Sequence, residues 1–346
     1  MNPSSSLPPL VASPDPTLVA RVHRRRPLLY AGGADSELDR PAHVRAGSGM
    51  ARLGGWLVVV QDDANFLAFI DAKSGEARAV PLPMGDDGRR QFDDDRGNKH
   101  LKLDLEACFT APGEDGEPVL VALGSGSSPH RERILVAEHA THPDRCRVRL
   151  VDAGPLYAAL RADSGFAPGE LNVEGAVHVD GEIRLFGRGN GASRSGVSSS
   201  NATCELAWPA LRAFLADPAG APLPSFERAQ QYTLGVLDGL ALGFTDAAAD
   251  FGPDTILFAA AAEDSPDATR DGRVAGSALG VLQPGRPPRW TILQTPDGEP
   301  FPAKVEGLLV VPGHPRTAQV VIDQDDPDAP SELCDVELVG DWGWGE

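Results

Sequence analysis

Aromatic residues are scarce in this chain, at 6% of its 346 residues, and a run of about 20 apolar residues, the length that a membrane-spanning helix needs, does not occur. The sequence therefore predicts no membrane helix. Residues 1–13 lack both the basic start and the apolar core of a secretory signal peptide. We therefore expect a cytoplasmic protein.

Cysteine is also scarce, and its four copies are scattered at Cys108, Cys146, Cys204 and Cys334. No two of them have the Cys-x-x-Cys spacing of zinc sites and thioredoxin-like motifs. A chain of this length does not need disulfides to fold. We expect buried thiols in a reducing compartment.

Basic residues are outnumbered by acidic ones, since the chain has 31 Lys and Arg but 50 Asp and Glu, which gives a formal net charge of −19. Nucleic acids and anionic membranes bind basic surfaces, and residues 24–26 form too short a basic run to provide one. We expect neither as a partner, and the sequence names no protein partner. The surplus acid either keeps the protein soluble or is concentrated at a metal site.

Glycine and proline are abundant, with 38 and 31 copies, which favours a chain with many tight turns. Helical signals are few, and residues 155–163 and 209–215 are the two short candidates. This composition is typical of an all-β or repeat architecture.

A short motif recurs along the chain, in which an apolar residue, an acid and a small residue precede an apolar run. Its copies are Leu105-Glu106-Ala107, Val173-Glu174-Gly175, Leu237-Asp238-Gly239 and Val305-Glu306-Gly307, with Gly47-Ser48-Gly49 as a weaker fifth. The intervals between the central positions are 58, 68, 64 and 68 residues. Such regular spacing indicates a repeat of one structural unit.

Each motif is followed by an apolar strand, and further short strands follow before the next motif. The first of these strands are residues 56–60, 119–123, 183–186, 255–260 and 318–322. Three or four strands per repeat predict a five-bladed β-propeller. A six-bladed propeller is the alternative, and it would need a blade from residues 1–45, where no motif occurs.

The last motif lies 40 residues before the end of the chain, too few for a four-stranded blade. We expect an N-terminal strand, at residues 17–23 or 27–30, to complete that blade and to remove the open sheet edges. Residues 1–15 are rich in Ser and Pro and are predicted to be disordered. Residues 16–346 then form a single propeller domain.

In a propeller the first strand of each blade lines the central channel, so the motif positions form a ring. The ring is predicted to contain Ser48, Glu106, Glu174, Asp238 and Glu306. Carboxylates this close need protons or a cation between them, and a ring of oxygen ligands suits Ca²⁺. The alternative is that these acids accept hydrogen bonds from neighbouring strands.

The loops that follow the second strands are polar and should open at one mouth of the channel. Acidic loops offer Asp62 and Asp325 as residues that orient a catalytic water. Two Gly- and Ser-rich loops, 124–131 and 187–194, could bind an anion through Ser125, Ser127, Arg131, Arg188, Asn190 and Arg194. The alternative is that these are ordinary turn sequences.

Two sets of motifs carry a resemblance to known families. Leu105-Glu106-Ala107 with residues 123–127, and residues 171–175 with Arg188-Gly189-Asn190, resemble an uncharacterised bacterial β-propeller family. Lys304-Val305-Glu306-Gly307 is similar to the last inner strand of calcium-activated nucleotidases (apyrases), and the repeat more distantly resembles esterase-like phytase propellers. The resemblance covers residues 46–340 and implies an axial calcium held by Ser and Glu side chains.

Together these features favour a Ca²⁺-dependent hydrolase of a phosphorylated or otherwise anionic small molecule. The alternative is a non-catalytic propeller that binds a ligand or a protein and holds a structural axial metal. Fold alone does not decide between the two.

Overall fold

The computed structural model describes residues 8–191, 193–194, 196–252, 255–265, 267, 272–314 and 316–343, and the chain is all-β with two short helices. The N-terminal strands are β1 (Leu10–Val11), β2 (Ser13–Pro14) and β3 (Val19–Pro27). Then follow β4 (Gly47–Leu53), β5 (Trp56–Gln61), β6 (Phe66–Asp71) and β7 (Ala77–Pro81), and next β8 (Leu105–Pro112), β9 (Pro118–Gly124), β10 (Arg133–Glu138) and β11 (Arg147–Asp152).

The second half of the chain continues the pattern. Its strands are β12 (Val173–Val179), β13 (Glu182–Gly187), β14 (Asn201–Ala207), β15 (Glu227–Thr233), β16 (Val236–Leu237), β17 (Leu240–Gly252), β18 (Thr255–Glu263), β19 (Val274–Leu282), β20 (Arg289–Gln294), β21 (Lys304–Val310), β22 (Thr317–Asp323) and β23 (Glu332–Val339). Helix α1 (Gly154–Ala162) follows β11, and helix α2 (Trp208–Ala216) follows β14. Single 3₁₀ turns cover Lys99–Leu101, Pro129–Arg131 and Pro143–Arg145.

Both helices occur where the two sequence candidates placed them, and Pro at the first turn of each fits a helix start. Each has nine residues. No helix of the described residues has the length and apolarity to cross a membrane.

The strands pair mainly with their neighbours along the chain. Strands β4 to β7 form one antiparallel sheet, β8 to β11 form a second, and β12 to β15 form a third that β1 extends in parallel. A ten-stranded sheet contains β16 to β20 and β21 to β23, with β3 between β20 and β23 and β2 beside β20. Strand β3 pairs antiparallel with β23 over its length, but it pairs in parallel with β20 over two residues.

The N-terminal segment is therefore part of the sheets. Strand β3 overlaps residues 17–23, the first candidate for the closing strand. Residues 1–7 lie outside the described residues, whereas residues 8–15, also predicted to be disordered, contain β1 and β2. Main-chain pairing with β15 and β20, which composition does not reveal, holds them in place.

Strands in the middle of these sheets are continuous apolar runs because both of their faces are covered. In β18 all nine residues are buried. The described residues form five clusters of buried hydrophobic side chains, and each cluster lies between two units that follow each other around the molecule. The cluster that contains Leu28, Met50, Val59 and Val321 packs the last unit against the first.

The first strands of the units contact one another in cyclic order. Strand β4 contacts β8, β8 contacts β12, β12 contacts β17, β17 contacts β21, and β21 contacts β4. Each of these inner strands contains a β-bulge where the pairing with the second strand shifts by one residue, and in all but β17 it lies near the start of the strand. The bulged residues are Ser48, Glu106, Glu174, Thr245 and Glu306. A bulge redirects its side chain, and here it marks the same position in each unit.

Candidate functional site

A cavity of about 210 Å³ lies where the inner strands begin and the second strands end. Among the described residues that line it, fourteen are acidic and six are basic. The walls are therefore strongly polar, and the formal charge of the cavity is negative.

Most of the residues that the sequence singled out meet at this cavity. From the predicted ring it contains Ser48, Glu106, Glu174 and Glu306, and from the predicted mouth it contains Asp62, Asp325, Arg131, Arg188 and Asn190. Equivalent main-chain hydrogen bonds place the same position of different repeats at this cavity. The N–H groups of Asp62 and Arg188 donate to the carbonyl oxygens of Ala46 and Asn172, at equivalent positions of two units.

Asp238 lies elsewhere, and its predicted place in the ring belongs to Thr245. Asp238 and Gly239 both have positive φ angles, 50° and 79°, and form the tight turn between β16 and β17. The side chain of Asp238 is 69% exposed and pairs with Arg273 at 3.2 Å. An Asp-Gly pair between apolar residues is a strong hairpin signal. Leu237-Asp238-Gly239 has the same apolar, acidic and small pattern as the repeated motif, although it forms a turn.

Three predicted anion-binding residues also lie outside the cavity wall. The Ser125 hydroxyl donates to Asp104, and the Ser127 hydroxyl accepts from Arg131 at 2.9 Å, so both serines support residues that line the cavity. Arg194 is exposed, and its guanidinium donates to the backbone oxygen of Arg161 at 3.3 Å. Loop composition alone did not distinguish side chains at the wall from those behind it.

One side of the cavity is built around Lys102. Its ammonium group lies 2.5 Å from Asp62, 3.1 Å from Asp63 and 2.9 Å from Asp104. Asp104 also pairs with Arg131 at 2.9 Å. Although burial disfavours its charge, Lys102 and Arg131 hold the pKa of Asp104 well below its usual range.

The opposite side is built around Arg188 and Lys304. Arg188 lies 2.7 Å from Glu263 and 3.5 Å from Glu174. Lys304 lies 2.6 Å from Glu306 and 3.4 Å from Glu263. Burial opposes the charge of Glu263, but these two cations lower its pKa to about 2.

A glycine makes room for Arg188. A Cβ atom at Gly243, on β17, would lie 2.8 Å from Cγ of Arg188. Since that distance is shorter than a Cβ contact allows, a larger residue at Gly243 would force the Arg188 side chain or the neighbouring strand to shift.

The central acids have less compensation than these two clusters. Burial raises the pKa of Glu106 well above its usual range, and the neighbouring acids add to the rise. Burial likewise raises the pKa of Asp62 despite Lys102, and it raises the pKa of Glu306 to about 8 despite Lys304. At the rim, burial and Asp325 raise the pKa of Asp323 to about 7.

Three carboxylates offer a ready set of metal ligands. One oxygen each from Asp62, Asp104 and Glu106 lies within 4.8 Å of the other two. Oδ1 of Asp62 and Oε2 of Glu306 are buried and form no hydrogen bond with any described residue. Sites that consist of carboxylate oxygens suit hard cations such as Ca²⁺ and Mg²⁺.

Sequence reasoning missed several residues of this cavity, among them Lys102, Asp104 and Arg45. Lys102 and Asp104 come just before β8, and Asp104 has a positive φ angle of 55°, so strand periodicity does not predict their positions. Nothing in the sequence places Arg45, which pairs with Asp93 at 3.1 Å. Nor does it show that Arg188 pairs with Glu263, 75 residues away in sequence.

Comparison with solved structures finds distant likenesses. A GH43 β-1,3-galactosidase is 11% identical over 90% of this chain and 58% of that chain, with a TM-score of 0.47. The PQQ-bound aldose sugar dehydrogenase from Streptomyces coelicolor is 13% identical over 94% and 100%, with a TM-score of 0.39. An α-L-arabinanase from Penicillium chrysogenum is 9% identical over 85% and 97%, with a TM-score of 0.40. The chain therefore spans little more than half of the galactosidase, and likenesses this weak carry no argument about activity.

No curated protein matches the chain. Residues 43–338 match the model described as Family of unknown function (DUF6929).

Proposed function

The chain belongs to this family of unknown function, and we propose that it is a five-bladed β-propeller whose axial cavity binds Ca²⁺ and hydrolyses a small anionic substrate, such as a phosphate ester or anhydride. One observation carries the proposal. Carboxylate oxygens of Asp62, Asp104 and Glu106 converge within 4.8 Å, beside the buried acids Glu174 and Glu306.

The cyclic contacts of the inner strands support the five blades. Strand β21 contacts β4 as well as β17, and a buried cluster joins the last unit to the first. The ten-stranded sheet then consists of two blades, which are joined by the two-residue parallel pairing of β20 with β3. In a closed ring no broad sheet edge is left open.

The electrostatics of the cavity support a cation. Asp62, Glu106 and Glu306 all have raised pKa values because burial and their acidic neighbours disfavour the charged form. A divalent cation would replace the protons and satisfy the unpartnered oxygens of Asp62 and Glu306. Ca²⁺ takes six to eight oxygen ligands in irregular geometry, so it fits this site better than Mg²⁺, which demands an octahedron.

The residues of the walls have distinct roles in the proposed hydrolysis. The bound cation would offset substrate charge. Arg131 and Arg188 place positive charge on two walls, and Asn190 adds an amide, so these three side chains orient the anion. Asp62 can accept a proton from a water that it orients once the cation has displaced its own proton, and Asp325 lies at the rim as the second candidate.

A thermal melt tests the cation site. We expect Ca²⁺ to raise the melting midpoint of EDTA-treated protein by several degrees and Mg²⁺ to raise it less, because a ligand that binds the folded state stabilises it by mass action. Glu106→Gln and Glu174→Gln should reduce the Ca²⁺ effect. The matched control is Asp238→Asn, which removes an acid outside the cavity and should leave the effect unchanged.

Activity is tested on p-nitrophenyl phosphate, ATP and inorganic pyrophosphate, each with Ca²⁺ and with EDTA. We expect Ca²⁺-dependent release of product that Glu106→Gln and Asp62→Asn reduce at least about tenfold, in line with typical losses of general-base function. A midpoint that does not respond to Ca²⁺ would refute the cation site itself.

A non-catalytic propeller with a structural axial cation is the second candidate. All six basic side chains of the cavity that belong to described residues are paired with carboxylates. Such pairing is also typical of an ion-pair network that only stabilises the fold. A clear Ca²⁺ effect on the midpoint without turnover of any of these substrates would favour this candidate.

A further inference from the structure

A second, larger cavity of about 900 Å³ opens further along the same inner strands. The acidic cavity is lined by the bulged residues Ser48, Glu106, Glu174 and Glu306, whereas the second cavity is lined by residues that follow them on each strand. Its inner-strand residues include Met50, Cys108, Ala176, Ala247 and Leu309. It therefore lies toward the opposite end of the axis.

A layer of small residues separates the two cavities. A Cβ atom at Gly175 would lie 3.2 Å from Cα of Asp246, and one at Gly307 would lie 3.2 Å from the carbonyl carbon of Gly49. The inner strands thus approach each other closely at this level, and Asp246 is fully buried there. A ligand of the second cavity would not reach the acidic one.

The chemistry of the second cavity is the reverse of the first. Its described lining is mostly aliphatic, with Arg52 and His178 as the residues that can carry charge, and it contains no acid. Its size falls in the range of small-molecule sites, which are mainly apolar with a few placed polar groups.

Arg52 is the placed polar group. Its guanidinium donates to Oε1 of Gln319 at 3.2 Å, and its Nε is buried and forms no hydrogen bond within the described part of the chain. Burial lowers the pKa of Arg52, and no described carboxylate forms an ion pair with it. In this respect Arg52 differs from the basic groups of the acidic cavity, which are paired with acids.

We propose that this second cavity binds an anionic amphiphile, a small carboxylate with an apolar body, whose carboxylate pairs with Arg52 while its body lies against the aliphatic wall. Complementary charge selects the anion, since a guanidinium that is paired with no carboxylate gains a charge-assisted hydrogen bond from the ligand. The wall selects the apolar body, because its burial removes hydrocarbon from water. The site is independent of the proposed hydrolase function.

Calorimetric titration of the full chain with sodium octanoate tests the proposal. We expect saturable binding of one octanoate per chain. Arg52→Gln should weaken it at least about tenfold, a loss in the range of charged hydrogen bonds, and Arg52→Lys should weaken it less because the charge remains. Neutral 1-octanol should bind weakly and should not distinguish the wild type from Arg52→Gln.

Two further variants locate the site. Thr110→Trp places a large ring at the cavity wall and should weaken both octanoate and octanol. Arg78→Gln is the matched control, since Arg78 is exposed and paired with Asp144, and it should bind octanoate as the wild type does. Glu306→Gln should also leave octanoate binding unchanged, which separates this site from the acidic cavity.

Absence of octanoate binding to the wild type would overturn the proposal without requiring any variant. Equal affinity of the wild type and Arg52→Gln, with both shown to be folded by their melting curves, would overturn it as well. Binding that Thr110→Trp leaves intact would place the ligand outside this cavity.

Discussion

Single residues of the acidic cavity are held in protonation states that differ from those in water. Glu306 lies 2.6 Å from Lys304, yet burial raises its pKa to about 8, against 4.5 for an ordinary Glu. The folded protein without a metal thus favours a proton on this carboxyl. A cation at the site would have to displace it, so metal binding and proton release are coupled.

This coupling predicts how stability depends on pH. Because the folded-state pKa of Glu306 is raised, its stabilising contribution is complete below about pH 4.5 and is lost as the pH rises toward 8. We expect the free energy of unfolding of EDTA-treated protein to fall by a few kcal/mol over this interval relative to Glu306→Gln. The comparison is made by urea unfolding at several pH values.

The Glu306→Gln variant keeps the shape of the protonated carboxyl and should have the flatter profile. Parallel pH profiles of the two proteins would contradict the assigned direction. Because protons compete with the cation, the Ca²⁺ effect on the wild type should grow from pH 5 to pH 8.5.

Asp246 shows how one side chain links two strands. It directly follows the bulged residue Thr245 of β17, and its Oδ2 accepts the backbone N–H of Leu308 on β21 at 2.7 Å. Burial raises the pKa of Asp246 well above its usual range. The carboxyl therefore acts as a buried hydrogen-bonding group between two inner strands rather than as a charge.

Removal of the Asp246 carboxyl should lower the free energy of unfolding. Asp246→Ala leaves the N–H of Leu308 buried without an acceptor, so we expect a loss of about 2–3 kcal/mol in the free energy of unfolding. Asp246→Asn keeps an acceptor and should cost less than about 1 kcal/mol. Denaturant unfolding of the two variants measures the difference, and equal losses would mean that the hydrogen bond contributes little.

The sequence could predict the strands but not every register. Motif spacing located four of the five bulges, at Ser48, Glu106, Glu174 and Glu306. It failed in β17 because Asp238-Gly239 has the motif pattern but forms a turn, seven residues before the bulge at Thr245. A local pattern does not distinguish a strand from a tight turn when both place an acid before a glycine.

Removal of strand β3 would show how much its pairing with β23 stabilises the molecule. Strand β3 pairs along β23, and its buried Ala20 and Val22 belong to a cluster that includes residues of β18, β19 and β22. We expect a chain that starts at Leu28 to lose cooperative thermal unfolding, because it exposes this cluster and the edge of β23. A chain that starts at Pro8 is the control and should melt as the full chain does.

Recovery of cooperative melting when a peptide of residues 16–28 is added to the shortened chain would show that pairing with β23 is the missing interaction. A sharp, unshifted transition of the shortened chain alone would show that closure contributes little to stability.

The whole molecule carries a net charge of −19, and much of the surplus acid lies around one cavity. Composition revealed the surplus, but it could not reveal that Lys102, Arg131, Arg188 and Lys304 lie among these acids in two ion-pair clusters. Two of these pairs, Lys102–Asp104 and Lys304–Glu306, are local in sequence, but Arg188 and Glu263 are 75 positions apart. Their assembly depends on the fold.

Self-repulsion of this charge predicts a dependence on salt. We expect an increase from 10 mM to 300 mM NaCl to raise the melting midpoint of EDTA-treated protein by a few degrees, since screening weakens repulsion between like charges. The same increase should weaken Ca²⁺ binding, because salt also screens attraction to the cation. A midpoint that falls with salt would show that attraction within the ion-pair clusters outweighs the repulsion.

The pairing of β3 with β23 has a consequence for how the protein is made. Arg25 and Glu332 form an ion pair at 2.7 Å although 307 positions separate them. During synthesis β3 therefore leaves the ribosome long before β23 does. The hydrophobic residues of β3 therefore lack their partner until β23 has been made, and chaperones protect hydrophobic surface that is exposed in this way. Stalled or truncated translation products should be especially prone to aggregation.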